Sequence, residues 1–229
     1  MIPVTILIPV YNGWEYFDDC VYSILNQTYT NWTVIIGVNG HGGDDNNVYK
    51  TLKDKIEKIH DPRIHIYNLP DIKGAPSTIN FLASLANTEW IAHIDIDDKW
   101  HPIKLEAQML STQSAAKDSG IIGTFAQYFG DWNGSPDIPG GSITKEHFMK
   151  VNPMIHSSIL IKKHLVNYTD EFFGTYDYDC WCKHLLNGVR FYNVPLPLTY
   201  HRLHSGSVYN ASGQQTPDMI RKKYFNISV

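Results

Sequence analysis

Four apolar-rich runs, Val4–Val10, Trp32–Val38, Ile64–Leu69 and Trp90–Ile96, recur along the first hundred residues with room for one helix between each pair. Val4–Val10 is short, β-branched and continuous, which is the pattern of a strand buried on both faces of a parallel sheet. The intervening segments have helical spacing. Trp14, Phe17, Val21 and Ile24 share one face of Trp14–Leu25, Asp44–Ile59 stops ahead of Asp61-Pro62, and Ala75–Ala86 follows the third run. Strands alternating with helices connect through right-handed crossovers, so an α/β doubly wound, mostly parallel sheet with helices on both faces is expected. Ligands of such sheets lie beyond the carboxyl ends of the strands. The turns Tyr11-Asn12-Gly13, Asn39-Gly40-His41-Gly42-Gly43 and Asp95-Ile96-Asp97-Asp98 therefore face one crevice.

The rest of the chain is less regular. Helices are expected over Ile103–Lys117 and Tyr178–Leu186, strands over Ile121–Phe125, Ser158–Ile161 and Arg190–Val194, and a mobile glycine- and proline-rich loop over Tyr128–Gly141. A polar tail follows His201, with a short amphipathic stretch around Met219–Phe225 that closes the site or contacts a second copy. At 229 residues the chain suits one domain, with 1–100 as a nucleotide half, 101–207 as an acceptor half and 208–229 as tail. Its 43% apolar content supports a packed core, and its net charge of −4 lacks the basic footprint of a nucleic-acid binder. No run approaches the ~20 residues of a spanning helix, no signal peptide is seen, and three cysteines form no disulfide framework, so a cytoplasmic setting is expected.

Chemistry concentrates at Asp95, Asp97 and Asp98. On an extended segment Asp95 and Asp97 project to one side, within reach of a single cation. Clustered carboxylates repel, a divalent metal relieves the repulsion, and oxygen ligands favour Mg²⁺ or Mn²⁺ over Zn²⁺. Neither a phosphate-cradling Gly-x-x-x-x-Gly-Lys-Ser/Thr loop nor a Gly-x-Gly-x-x-Gly turn is present. What remains is a diphosphate held through metal and carboxylates, which suits a transferase with a nucleoside-diphosphate leaving group.

Pro9-Val10-Tyr11-Asn12-Gly13, Ser23-Ile24-Leu25-Asn26-Gln27-Thr28-Tyr29-Thr30-Asn31-Trp32, Asp95-Ile96-Asp97-Asp98 and Tyr176-Asp177-Tyr178-Asp179-Cys180-Trp181 occur in this order. Together they resemble the family 2 glycosyltransferases of GT-A fold, over residues 3 to about 207. The resemblance implies inverting transfer of a sugar from a nucleoside-diphosphate donor, UDP above all, to a hydroxyl of a glycan or related acceptor, assisted by Mn²⁺ or Mg²⁺. It assigns Pro9, Tyr11 and Asn12 to the nucleotide pocket, Asp95 to the ribose, Asp97 and Asp98 to the metal, and Asp177 to the general base, with Asp179 the next candidate. A carboxylate is needed there because an acceptor alcohol must give up its proton as the bond forms.

Two departures stand out. Asn39 occupies the turn where the family carries acids that contact the base; it still offers a donor and an acceptor to a uracil edge. Tyr176 replaces the usual Glu beside the base. By the same resemblance Lys73 and Arg202 are diphosphate contacts, His204 is a third metal ligand, and His156 meets the acceptor, while Trp181, flanking the second acidic cluster, offers an aromatic ring to stack on an acceptor sugar. A zinc site of Cys180 and Cys182 with these histidines is disfavoured, because Cys-x-Cys within a helix has poor ligand geometry. A nucleotidyltransferase of similar fold and an inactive nucleotide- or sugar-binding module are the alternatives.

Overall fold

The computed structural model describes residues 1–42, 46–205 and 215–227. Nine strands form one mixed sheet in the order β3-β2-β1-β4-β8-β6-β9-β5, with β7 paired to β9. The first block is parallel: β1 (Val4–Val10) lies between β2 (Trp32–Asn39) and β4 (Trp90–His93), and β2 pairs β3 (Ile64–Leu69). The second block mixes directions. β8 (Leu160–Lys162) runs antiparallel to β4 and to β6 (Ile121–Gly130), and β6 is parallel to β9 (Phe191–Leu203). β5 (Lys99–Trp100) and β7 (Gly141–Ile143) are antiparallel to β9.

Helices cover both faces. One layer holds α1 (Phe17–Leu25), α2 (Asn47–Ile59) and α4 (Lys104–Ser111), which bury Phe17, Val21, Ile24, Leu52, Leu105 and Met109 against Ile6, Ile8 and Ile36. The other layer has α3 (Ala75–Leu85), the short α5 (Lys145–Phe148) and α6 (Tyr176–Leu186), with Ile79, Leu82, Phe148 and Trp181 in the same core as Leu7 and Ile35. α7 (Gln215–Phe225) buries Ile220 in that second core. The alternation of Ile6 and Ile8 with Leu7 into opposite cores is the period-2 pattern of a central strand.

Most expected elements form, with informative shifts. β1 and β3 match their expected bounds. β4 ends at His93, not Ile96, because Asp98 N donates to Asp95 O (3.0 Å) and closes a turn. The extended-strand argument for Asp95 and Asp97 therefore does not apply. α4 is shorter than its apolar spacing suggests, and α6 begins two residues earlier. β6 and β9 run far past their expected ends; β9 takes in Pro195 and Pro197, with register shifts at Thr124/Phe125 and Phe125/Ala126 where the ladder accommodates them. His201, Arg202 and Leu203 are thus strand residues and not loop. Asp44, Asp45 and Ser207 lie outside the described residues.

Candidate active site

The site lies where the strand order reverses, between β1 and β4. Leu7 O accepts from Ile94 N, so the odd residues of β1 turn their backbone toward β4, whose last pair is Leu7 with His93. Pro9 sits beyond that pair, and its missing N–H costs no ladder bond. Gly13 follows with φ 76°, and a Cβ there would meet Ile96 Cγ2 at 3.2 Å and Asp97 Cβ at 3.8 Å. The first loop thus rests directly on the acidic turn. At the mouth, the Tyr11 ring is 55% exposed and stacks on His41 (centroids 5.0 Å apart, 28° between planes), while His41 Nε2 lies 2.6 Å from Tyr11 O. Asn12 is exposed, Asn39 is buried at the end of β2, and Lys73 is exposed before α3.

The three aspartates take three different partners. Asp95 accepts from Ser157 Oγ (3.1 Å) and faces His156 Nδ1 (3.5 Å), while Ser157 Oγ also accepts from the Asp95 amide (3.0 Å). Burial pushes the Asp95 carboxyl up, but the charge and hydrogen bond of His156 more than offset it, and the group sits at about 2. Asp97 meets His204 Nε2 at 2.9 Å with its side chain 23% exposed. Burial first, then the charges of Asp98 and Asp95, raise it to about 6. Asp98 is fully buried: Oδ1 accepts from the Arg202 amide (2.7 Å) and Oδ2 lies 2.9 Å from His201 Nδ1. Burial opposes the charged His201 ring, but Asp98 prevails and lifts it to about 9.

Asp177 projects from the first turn of α6 and accepts from Asn152 Nδ2 (2.8 Å). Its pKa is raised, mainly by burial, with His156 and the Tyr178 amide pulling the other way. His156 has its side chain 10% exposed and packs edge-on against Tyr168 and Tyr176, tilted over His93. Burial would lower its pKa, but Asp95 raises it. The His93 ring beneath it is fully buried, has no hydrogen-bond partner, and has its pKa pushed well down by burial and by His156.

Several expected site residues are engaged elsewhere. Trp181 is fully buried in the second core among Tyr168 and Phe191, so its ring has no face for an acceptor. Asp179 is an anchor: Oδ1 accepts from Lys223 Nζ (3.0 Å) and Tyr224 OH (2.8 Å), and Oδ2 from Thr169 Oγ1 (3.2 Å), which docks α7 onto α6. The tail is accordingly committed to its own chain over α7. Arg202 is inserted between the rings of Tyr16 (4.1 Å) and Phe129 (4.3 Å), with Nε donating to Asp97 O and Nη2 to Asp19, and so braces the acidic turn. His156 is engaged by Asp95 and by the Tyr168 and Tyr176 rings, with its side chain only 10% exposed. Asp98 is held by β9, whereas Asp97 keeps an exposed face.

Asn152, His93 and Tyr16 carried no distinct signal, and Ser157 stood out only as part of His156-Ser157-Ser158. Asn152 and Ser157 reach the site from turns far from the carboxylates in sequence, and His93 reads only as a lone polar residue in an apolar strand. Among the described residues no group of three His, Cys, Asp or Glu side chains converges as a ready-made metal cage. No helix there is long and apolar enough to cross a membrane.

Known proteins resemble this chain in sequence and in fold. The family model for glycosyl transferase family 2 matches residues 5–166. WfaP of Escherichia coli, a UDP-Glc:alpha-D-GlcNAc-diphosphoundecaprenol beta-1,3-glucosyltransferase, is 30% identical over 230 residues, covering 96% of this chain and 83% of its own. Among solved structures, S. aureus TarS 1-349 in complex with UDP-GlcNAc superposes with a TM-score of 0.74 at 13% identity, over 98% of this chain and 72% of that one. The mannosyltransferase PcManGT from Pyrobaculum calidifontis, in complex with GDP-Man and Mn²⁺, gives 0.68 at 13% identity, over 97% and 61% respectively. The family match over residues 5–166, the WfaP identity over 96% of the chain and the superposition on TarS lead to one conclusion: this chain belongs to glycosyl transferase family 2, and is a glycosyltransferase with the GT-A fold.

Proposed function

We propose that this single-domain enzyme moves a sugar from a UDP-sugar to a hydroxyl of a glycan or related acceptor, with inversion and with Mn²⁺ or Mg²⁺ bound. The observation that carries the proposal is the pairing, at one crevice, of the Asp97–His204 couple with a desolvated carboxylate, Asp177, on the first turn of α6. UDP is favoured because WfaP's name carries UDP-Glc and TarS was solved with UDP-GlcNAc.

The donor set fits a hard divalent cation. Asp97 Oδ2 and His204 Nε2, 2.9 Å apart on the acidic turn, are the oxygen and nitrogen donors that would hold the ion. A two-residue set leaves positions for water and for substrate phosphate, as Mg²⁺ and Mn²⁺ sites commonly do. PcManGT was solved with Mn²⁺. When bound, the ion neutralises the charge that gathers on the departing diphosphate.

The chain's own residues supply the rest. The Tyr11–His41 stack offers the nucleobase a flat platform beside Asn12 and Pro9, Asp95 is held ionised by His156 and Ser157 to accept the ribose hydroxyls, and Lys73 brings positive charge to the rim. Asp177, oriented by Asn152, takes the proton from the acceptor hydroxyl as its oxygen forms the new bond to the anomeric carbon. The bond from that carbon to the diphosphate breaks on the opposite face, and its electron pair leaves with UDP. A pKa raised by burial makes Asp177 a stronger base than an ordinary carboxylate. The three buried free cysteines suit a reducing, cytoplasmic setting.

Thermal unfolding with UDP, GDP, CDP and TDP, each with Mn²⁺ or with EDTA, tests the donor site. At a hundredfold excess over Kd a ligand adds about 2.7 kcal/mol, a rise of roughly 5–10 °C at this size. A UDP shift that disappears with EDTA and in Asp97→Ala is expected. Equal shifts with and without EDTA would remove the metal from the site, and no shift with any nucleotide would leave an inactive module.

A further inference from the structure

β6 ends in a turn that lies beside the acidic loop. Tyr128 N donates to Gly134 O (2.7 Å) and Asp131 N to Leu203 O (2.9 Å), so the turn is fastened both to itself and to β9. Trp132 sits within it. The indole lies flat over Gly134, where a Cβ would come within 2.6 Å of the ring, and it packs on Tyr128 with centroids 5.6 Å apart. Although fixed on these two sides, Trp132 is 56% exposed.

One exposed aromatic is ordinary on a soluble protein. Trp132 differs in its continuity with the site. The Tyr128 ring lies 5.8 Å from the His201 ring, and His201 holds Asp98 at 2.9 Å, next to Asp97. An aromatic row therefore leads outward from the acidic turn and ends on a free indole face. Its surroundings set the chemistry. Asp131, Asn133 and Asp137 of the same turn are exposed, no Lys or Arg occurs between Gly130 and Thr144, and the nearby cations Lys99 and Arg202 are engaged on the Phe129 ring (4.5 and 4.3 Å). A phosphate or carboxylate finds no cation of the turn itself to pair with, whereas a neutral sugar can lay its C–H face on the indole and offer hydroxyls to Asp131 and Asn133.

We propose that Trp132 is the stacking platform for a neutral pyranose ring of the acceptor, with Asp131 and Asn133 as its hydroxyl partners. The proposal rests on the acceptor half of the function given above and adds to it a specific subsite and a charge class of ligand.

Saturation-transfer NMR tests it on the intact chain. The probes are methyl β-D-glucopyranoside, methyl N-acetyl-β-D-glucosaminide, N,N′-diacetylchitobiose and the anionic glucose 1-phosphate, with UDP titrated in parallel. At least one neutral probe is expected to bind wild type, to bind Trp132→Ala at least about fivefold more weakly, and to keep its affinity for Trp132→Phe within about twofold. UDP affinity is expected to stay within about twofold across the three proteins, and matching melting temperatures to exclude misfolding. The platform is overturned if no neutral probe binds wild type, if Trp132→Ala binds as wild type does, or if glucose 1-phosphate binds more tightly than the neutral probes through Trp132. Loss of UDP binding in all three proteins, with glycoside binding still dependent on Trp132, would instead refute the donor reading and leave the platform standing.

Discussion

Lys104 is fully buried in the first turn of α4, and its ammonium has no hydrogen-bond partner. It lies over the Trp100 ring at 3.7 Å, and burial holds its pKa well below the ordinary lysine value. A buried donor without a partner costs about 1–3 kcal/mol, and a cation at the N-terminal turn of a helix adds a few tenths. Lys104→Met removes both costs. It gives up a cation–π contact of about 0.5–2 kcal/mol and regains a sulfur–aromatic contact of about 0.3–1.5 kcal/mol at nearly the same volume. The expected net change is a gain of about 1 kcal/mol near neutral pH, or roughly 2–4 °C in Tm.

The pH dependence is the sharper test. Because the folded pKa lies below the unfolded one, the unfolded chain binds more protons between them, and wild-type stability rises with pH through that window. The methionine variant lacks this contribution. Its advantage should shrink as pH approaches about 10, where lysine in the unfolded chain also loses its proton. Urea unfolding of both proteins at several pH values between neutral and alkaline measures the gap directly. A variant less stable than wild type by more than about 1 kcal/mol, with a gap that stays flat across pH, would falsify the claim that the amine is an unpartnered burial.

Three further outcomes follow from the site and its supports. Asp177→Asn should lower kcat by about 10²- to 10⁴-fold while UDP binding is kept, as read by steady-state kinetics beside nucleotide titration; near-normal turnover would move the base elsewhere. Asp179→Ala should cost about 2 kcal/mol by releasing Lys223 and Tyr224, with α7 exposed to early proteolysis and donor binding unchanged; a loss of catalysis in a fully folded variant would return Asp179 to the chemistry. His201, lifted to about 9, contributes stability that is complete below its ordinary value near 6.5 and fades as pH rises through about 9, so His201→Gln should lose about 2–3 kcal/mol relative to wild type at pH 6 and much less at pH 10, measured by denaturant unfolding; an equal loss at both pH values would mean that its charge does not hold Asp98.

The parallel half of the sheet was legible because its information is local. Val4–Val10 and Ile64–Leu69 appear as strands at the bounds that their own residues suggest, and the crevice beyond β1 and β4 follows from the alternation of elements. The acidic cluster and Asp177 likewise stood out as residue types in a family pattern. What each carboxylate does was not legible. Asp95, Asp97 and Asp98 are near neighbours in sequence, yet their roles are divided by Ser157 and His156, by His204, and by His201 with the Arg202 amide. Those partners lie more than sixty residues away and arrive only when β8 and β9 close the sheet. β9 itself was hidden by Pro195 and Pro197, which read as loop until β6 on one side supplies a ladder that tolerates them. Trp181 and Asp179 share α6 with Asp177, but helical rotation sends one into the core and the other onto α7. Sequence therefore determined which chemistry this chain can assemble, since residue type and spacing fix strand, helix and charge. Only the tertiary structure decided which side chains are spent on holding the site and which remain free to work in it, because burial and partnership are properties of distant residues brought into contact.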